Sequence, residues 1–207
     1  MPRPLAVSSD IAFTPAVKAI QATKGSREAY ARMERAGGWQ TELHEEVAAF
    51  IAEQTSFFLA TVNADGQPYI QHRGGPRGFL RVLDPKTLGF ADYRGNRQYI
   101  SLGNLTENAK VHLFLIDYAQ RKRVKIWGEA RVVEDDPALV AELMPRDYDA
   151  RAERAFLIHV TAWDANCPQH IPQRFDAEDV AAALEARDQR IAALEAELAR
   201  VAPASKG

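Results

Sequence analysis

Short runs of apolar, β-branched and aromatic residues broken by turn chemistry fill the middle of the chain, and helical spacing governs both ends. Residues 57–62 form one run, Ala64-Asp65-Gly66 supplies a turn, and 68–72 returns as a second strand. A second pair, 79–83 and 88–92, is joined by Asp84-Pro85-Lys86-Thr87, with Pro85 suited to the second turn position. Residues 111–117, 123–134 and 155–163 predict three further strands, the middle one long enough to bend at Gly128. Successive hairpins with few intervening helices predict a mainly β (α+β) fold, a six- to seven-stranded antiparallel closed or split β-barrel with flanking helices.

The helical pattern begins at Thr14-Pro15, a cap followed by proline at the first helical position, and Gly37-Gly38 ends that stretch. Leu43, Val47, Phe50 and Ile51 predict a helix over 41–53, with Glu42, Glu45 and Glu46 near its positive N-terminus. Asp136 and Pro137 start a short helix to 144. Residues 176–201 contain no glycine or proline, and Val180, Leu184, Ile191, Leu194, Leu198 and Val201 fall at steps of four and three, with Arg187 at one seam position. This pattern suits a short coiled coil or a helix that packs on its own domain. The chain thus divides into a partly helical extension (1–40), a barrel domain (41–174) and a C-terminal helix (175–207).

With 207 residues the chain can bury one sizeable core plus terminal additions. A 46% apolar and 26% charged composition places it among ordinary globular proteins. A formal net charge of -2 offers no general attraction to nucleic acid or anionic membranes. Residues 1–10 lack the apolar segment of a secretory signal, and no run suggests a spanning helix, so the expected location is cytoplasmic. Cys167 is the only cysteine, which excludes an intrachain disulfide and a cysteine-rich metal site.

Candidate chemistry concentrates in two places. Arg94-Gly95-Asn96-Arg97-Gln98-Tyr99-Ile100-Ser101 leaves a strand through a glycine turn and enters a helix, where free backbone N–H groups and arginine forks suit a phosphate. The alternative is that Asn96 or Ser101 merely caps the helix. Gln71, His72 and Arg73 run into Gly74-Gly75, where small residues let a flat ring approach the backbone, or simply form a loop. Arg121, Arg123 and Lys125 share one strand face and read as a solvated edge. Cys167 and His170 lie in an unusual loop over 163–173, read as a cover for a ligand or subunit interface, and no metal site is assigned to them. Dinucleotide, P-loop, zinc-protease and nucleophile-elbow motifs are absent from the sequence.

The hairpin ATVNADGQPYIQ, the segment GNRQYISLGNLTEN and the strand VKIWGEARVV, in this order, resemble the pyridoxamine 5'-phosphate oxidase-like family of FMN-binding split barrels, over roughly residues 45–163. The resemblance implies a homodimer with FMN as cofactor in two symmetric interface sites. It implies that Gln71, His72, Arg73 and Gly74 lie along the flavin ring and ribityl chain. Arg97, Gln98 and Ser101 would hold the phosphate, and Arg123, with Trp127 as a neighbour, would reach the flavin. True pyridoxamine phosphate oxidases carry arginine where this chain has Gln71, and end in a tryptophan- and arginine-rich substrate segment that this chain lacks. The expected function is therefore FMN-dependent oxidation or reduction of another small molecule, with a reduced nicotinamide as donor. The alternative is a non-catalytic protein that binds or senses flavin, F420 or haem.

Overall fold

The computed structural model describes residues 7–166 and 168–201, and its strands follow the hairpins legible in the sequence. β1 (Ser56–Val62) and β2 (Pro68–Gly74) pair antiparallel, with Ser56 opposite Gly74 and Val62 opposite Pro68. Asn63 holds their turn, its side-chain oxygen accepting from the Gln67 N–H at 2.8 Å. β3 (Arg81–Asp84) and β4 (Thr87–Tyr93) form the second hairpin, where the Asp84 carboxylate accepts from the Lys86 N–H at 2.7 Å. β5 (Lys110–Asp117), β6 (Lys122–Val133) and β7 (Ala152–Asn166) complete a seven-stranded antiparallel sheet in the order β2-β1-β5-β6-β7-β4-β3.

Alternation of side chains makes one face of this sheet apolar, and burying that face curls the sheet into a split barrel. Phe57 of β1 meets Phe90 of β4 edge-on at 5.4 Å, although the two strands are far apart in sheet order. Phe90 stacks on Phe156 of β7 at 5.0 Å. Leu59, Leu113, Leu115, Ile126 and Ile158 fill the same core, each side chain contributing about 1.5–3 kcal/mol by leaving water.

Several helix and strand bounds differ from the sequence reading for tertiary reasons. The N-terminal stretch divides into α1 (Pro15–Thr23) and α2 (Arg27–Arg35) at Gly25, which adopts φ +79°. Thr14 caps α1 as expected, accepting from the Val17 N–H at 3.3 Å. The helix expected over 41–53 begins only at Glu45, as α3 (Glu45–Ala52). Upstream of it, Leu43 N–H donates to Pro85 O at 2.7 Å and Gln40 bridges to Trp163, so the barrel claims backbone that helical spacing alone assigned to the helix. Likewise Phe79 and Leu80 are buried in the turn before β3 rather than lying in the strand. A fourth helix, α4 (Ile100–Glu107), follows β4, and α5 (Pro137–Leu143) starts as expected on Asp136, which accepts from the Leu139 N–H at 2.8 Å.

The N-terminal helices dock on the outer face of β6 through aromatic rings. Trp39 stacks on Trp127 at 4.6 Å and 17°, and Phe13 contacts both Trp39 and Tyr30 at 5.1 Å. Two compact units are present, residues up to 117 with 122–168, and residues 118–121 with those from 169 onward. The second unit contains α6 (Ala177–Val201), in which no residue is buried, and a segment where the Arg174 guanidinium lies 4.8 Å from the Tyr118 ring. No helix among the described residues is long and apolar enough to cross a membrane.

Gly128 marks a register shift between β6 and β7. A Cβ there would come within 2.5 Å of His159 O and 2.9 Å of Ile158 Cγ2, so the strands approach closely only because that atom is missing. Gly128→Ala is expected to lower unfolding free energy by about 2 kcal/mol or more in urea titrations. Gly103→Ala, in α4 with nothing within 4 Å of the added carbon, should instead stabilise by up to about 1 kcal/mol. Equal effects at the two positions would contradict the close-approach account.

Candidate functional site

A pocket forms where β2, β4, the start of α4 and β7 converge, lined among others by Gln71, Arg73, Asp92, Arg97, Ser101 and Arg154. Ser101 is buried at the first turn of α4 and donates to the Gln71 side-chain oxygen at 2.8 Å. One turn on, buried Asn104 donates to Thr61 Oγ1 at 2.9 Å. Both bonds fix α4 against the β1–β2 hairpin. Neither Ser101 nor Asn96 caps the helix: Tyr99 occupies the cap position and makes no side-chain cap bond, while Asn96 accepts from the Gln98 N–H at 3.2 Å.

The loop into α4 holds two non-glycine residues in left-handed conformation, Arg97 at φ 61° and Tyr99 at φ 56°. Each costs about 1–2 kcal/mol relative to an ordinary conformation. Arg97 Nε donates to Tyr99 Oη at 3.1 Å, a bond that raises the arginine pKa, and the Arg154 guanidinium lies 5.4 Å from the Tyr99 ring centroid. The strained turn therefore sets Arg97 at the pocket mouth and Tyr99 against the buried cation.

Arg73 and Arg154 flank Asp92 on the inner side. Arg73 pairs with the Asp92 carboxylate, Arg154 Nε lies 3.7 Å from the same group, and Arg154 also reaches Glu153 at 2.9 Å and Glu134 at 3.2 Å. Arg73 sits 5.2 Å from the Phe156 ring and 5.7 Å from Phe90, which pack its planar group from the core side. Burial raises the Asp92 carboxyl above its ordinary value despite both arginines, and burial pushes the Tyr93 hydroxyl up to about 12. The Nε–H groups of Arg73 and Arg154 are buried without a hydrogen-bond partner, as is Tyr93 Oη. Both Nε–H groups are sealed from the pocket, so what the lining presents to a ligand is the charge of the guanidiniums rather than these donors. Three guanidiniums against the carboxylates of Asp92 and Glu153 leave the lining net positive.

Beside this pocket, Gln71, His72, Arg73 and Gly74 line a second groove against residues 90–95. The His72 ring itself lies on the other strand face, 5.8 Å from Phe58, because β2 alternates. Gln98 is exposed and lies outside the pocket lining. One chain does not bring Arg123 or Trp127 to this site. Arg123 borders an apolar cavity with Val47, Phe50 and Trp163, and Trp127 is stacked on Trp39 with His112 4.7 Å away. Burial and Lys125 lower the His112 pKa. Cys167 lies outside the described residues; His170 is exposed at φ 64°.

Sequence reasoning missed Asp92, Glu153 and Arg154. The signal was present in register: Arg154 shares a strand face with Phe156 and Ile158, and Asp92 shares one with Phe90, so both charges interrupt apolar faces.

The buried carboxylate generates a pH prediction. The folded Asp92 carboxyl titrates above the 3.8 expected when unfolded, so the folded state binds that proton more tightly. Wild-type stability relative to Asp92→Asn should be highest below pH 3.8 and decline as pH rises through the folded value. Urea titrations of both proteins across this range test it; a difference that grows in favour of wild type with rising pH would mean that the arginines outweigh burial.

The family model described as pyridoxamine 5'-phosphate oxidase matches residues 43–167. Among solved structures, HupZ of Group A Streptococcus is similar at 22% identity, with 64% of this chain and 98% of that chain covered and a TM-score of 0.47. An FMN-binding protein from Syntrophomonas wolfei is 13% identical over 72% of this chain and 97% of its own, with a TM-score of 0.48. An F420 reductase is 20% identical over 56% and 94%, with a TM-score of 0.41. No curated protein matches. With its split barrel, its arginine-lined pocket and a family match over more than half of its length, this chain belongs to the pyridoxamine 5'-phosphate oxidase-like family.

Proposed function

We propose that this protein is an FMN-dependent oxidoreductase acting on a small molecule, with a reduced nicotinamide as electron donor. The observation that carries the reading is the convergence of Arg73, Arg97 and Arg154 on one pocket whose lining is net positive. A phosphate monoester supplies the acceptors and negative charge that this lining lacks. Arg97, exposed at the mouth, and Ser101 at the helix start hold the phosphate end. The helix start adds its positive partial charge. Gln71, Arg73 and Gly74 border the adjoining groove and suit the ribityl chain and ring edge.

Bound FMN supplies reversible two-electron chemistry. The chain's own residues orient it, and the positive lining favours an anionic reduced ring. The reading includes a homodimer with the cofactor at its interface; within one chain Arg123 borders a different cavity. Trp127 is engaged with Trp39 within one chain.

The visible absorption spectrum of the purified protein, with identification of the chromophore released on denaturation, tests the cofactor. Stoichiometric FMN is the expected result; a deazaflavin, haem, or failure to reconstitute with FMN would overturn it. Arg97→Ala should weaken FMN binding roughly tenfold to a hundredfold, the value of a charge-assisted hydrogen bond to phosphate. Arg81→Ala, outside the pocket lining and donating to Glu142 O, should leave FMN affinity unchanged. Oxidation of a reduced nicotinamide over many turnovers, faster than free FMN achieves, separates an enzyme from a flavin carrier.

A further inference from the structure

Among the described residues the apolar seam of α6 has no packed partner within its own unit: Val180, Leu184, Ile191 and Leu194 are each 43–45% exposed, and Leu198 and Val201 more so. Its spacing defines heptad positions. Ala177, Leu184, Ile191 and Leu198 fall at a, and Val180, Arg187, Leu194 and Val201 at d. The 25 residues of this helix supply just over three heptads. We infer that α6 pairs with α6 of a second copy of the chain as a parallel, in-register, two-stranded coiled coil.

The flanking charges select that occupant and that direction. In a parallel pair, the g position of one helix faces the e position of the next heptad in its partner, which sets Arg190 against Glu195 of the other copy on both sides of the seam. Arg190 and Glu195 have no ion-pair partner in their own chain among the described residues. An antiparallel pair overlapping along the whole helix instead brings Arg190 against Arg190 and Asp188 against Asp188, which is repulsive. Within the heptad that starts at 191, Ile191 at a with Leu194 at d is the combination that favours dimers, whereas the terminal Leu198 at a with Val201 at d does not follow it. Arg187 at d points the same way. Its guanidinium reaches water from the open flank of a two-stranded seam beside Asp188, its exposed neighbour at 3.5 Å, whereas a three- or four-stranded core would bury it.

Site-directed cross-linking of the full chain, with Cys167→Ser removing the native thiol, tests the pairing. Leu194→Cys places two thiols in one d layer and should convert most of the chain to a disulfide-linked dimer under mild oxidation. Gln189→Cys, on the outer face at f, should yield little. In the Leu194→Cys background, Arg190→Glu should slow cross-linking severalfold, and adding Glu195→Arg should restore the rate. Equal yields at positions 189 and 194, no cross-link at 194, or a charge reversal without effect would overturn the inference; each is the outcome expected if the helix packs on its own barrel, pairs antiparallel or serves a different protein.

Discussion

The buried carboxylate of Asp92 is the constraint on which the site depends. It stands on β4 and takes Arg73 from β2 and Arg154 from β7, so one anion joins strands near opposite ends of an open sheet. Such a group adds little net stability, because desolvation offsets most of its attraction. What it contributes is placement. Two guanidiniums that would otherwise seek water are held beside the aromatic core, Arg73 against Phe90 and Phe156.

Around that cluster the fold separates rigidity from reach. The pocket floor lies on strands tied into the core, and Ser101 and Asn104 fasten α4 to the neighbouring hairpin. The turn through Arg97 and Tyr99 departs from regular geometry, and its left-handed residues are held by the Arg97–Tyr99 bond and the Tyr99–Arg154 contact. The pocket thus combines guanidiniums fixed against the core with one exposed cation, Arg97, on an irregular turn. The N-terminal helices occupy the opposite side of the sheet, where Trp39 covers Trp127. An outer strand face that alternation alone would leave to solvent or a ligand is therefore part of the chain's own packing.

Much of the barrel was legible beforehand. Hairpin turns at Ala64-Asp65-Gly66 and Asp84-Pro85-Lys86-Thr87, the bend at Gly128, and the caps at Thr14 and Asp136 each rest on local backbone chemistry, and each stands where the sequence put it. Of the candidate site residues, Gln71, Arg73, Arg97 and Ser101 do meet in one pocket. The remainder depended on contacts between distant segments. Leu43 left its helix because Pro85 offered a carbonyl, and Phe79 left its strand because the core accepted its ring.

By itself the sequence determined where strands and turns fall to within a few residues, the capped starts of α1 and α5 and the heptad seam of α6, because side-chain periodicity and glycine, proline and cap chemistry act over a few residues. Tertiary structure alone decided which charges become buried and what they face. Arg154 and Asp92 belong to no local motif, and Trp127 stands in the sequence as a plausible cofactor neighbour. Only folding sets the first two together beside Arg73 and places Trp39 over the third, because register across the sheet and the docking of the N-terminal helices join residues far apart along the chain.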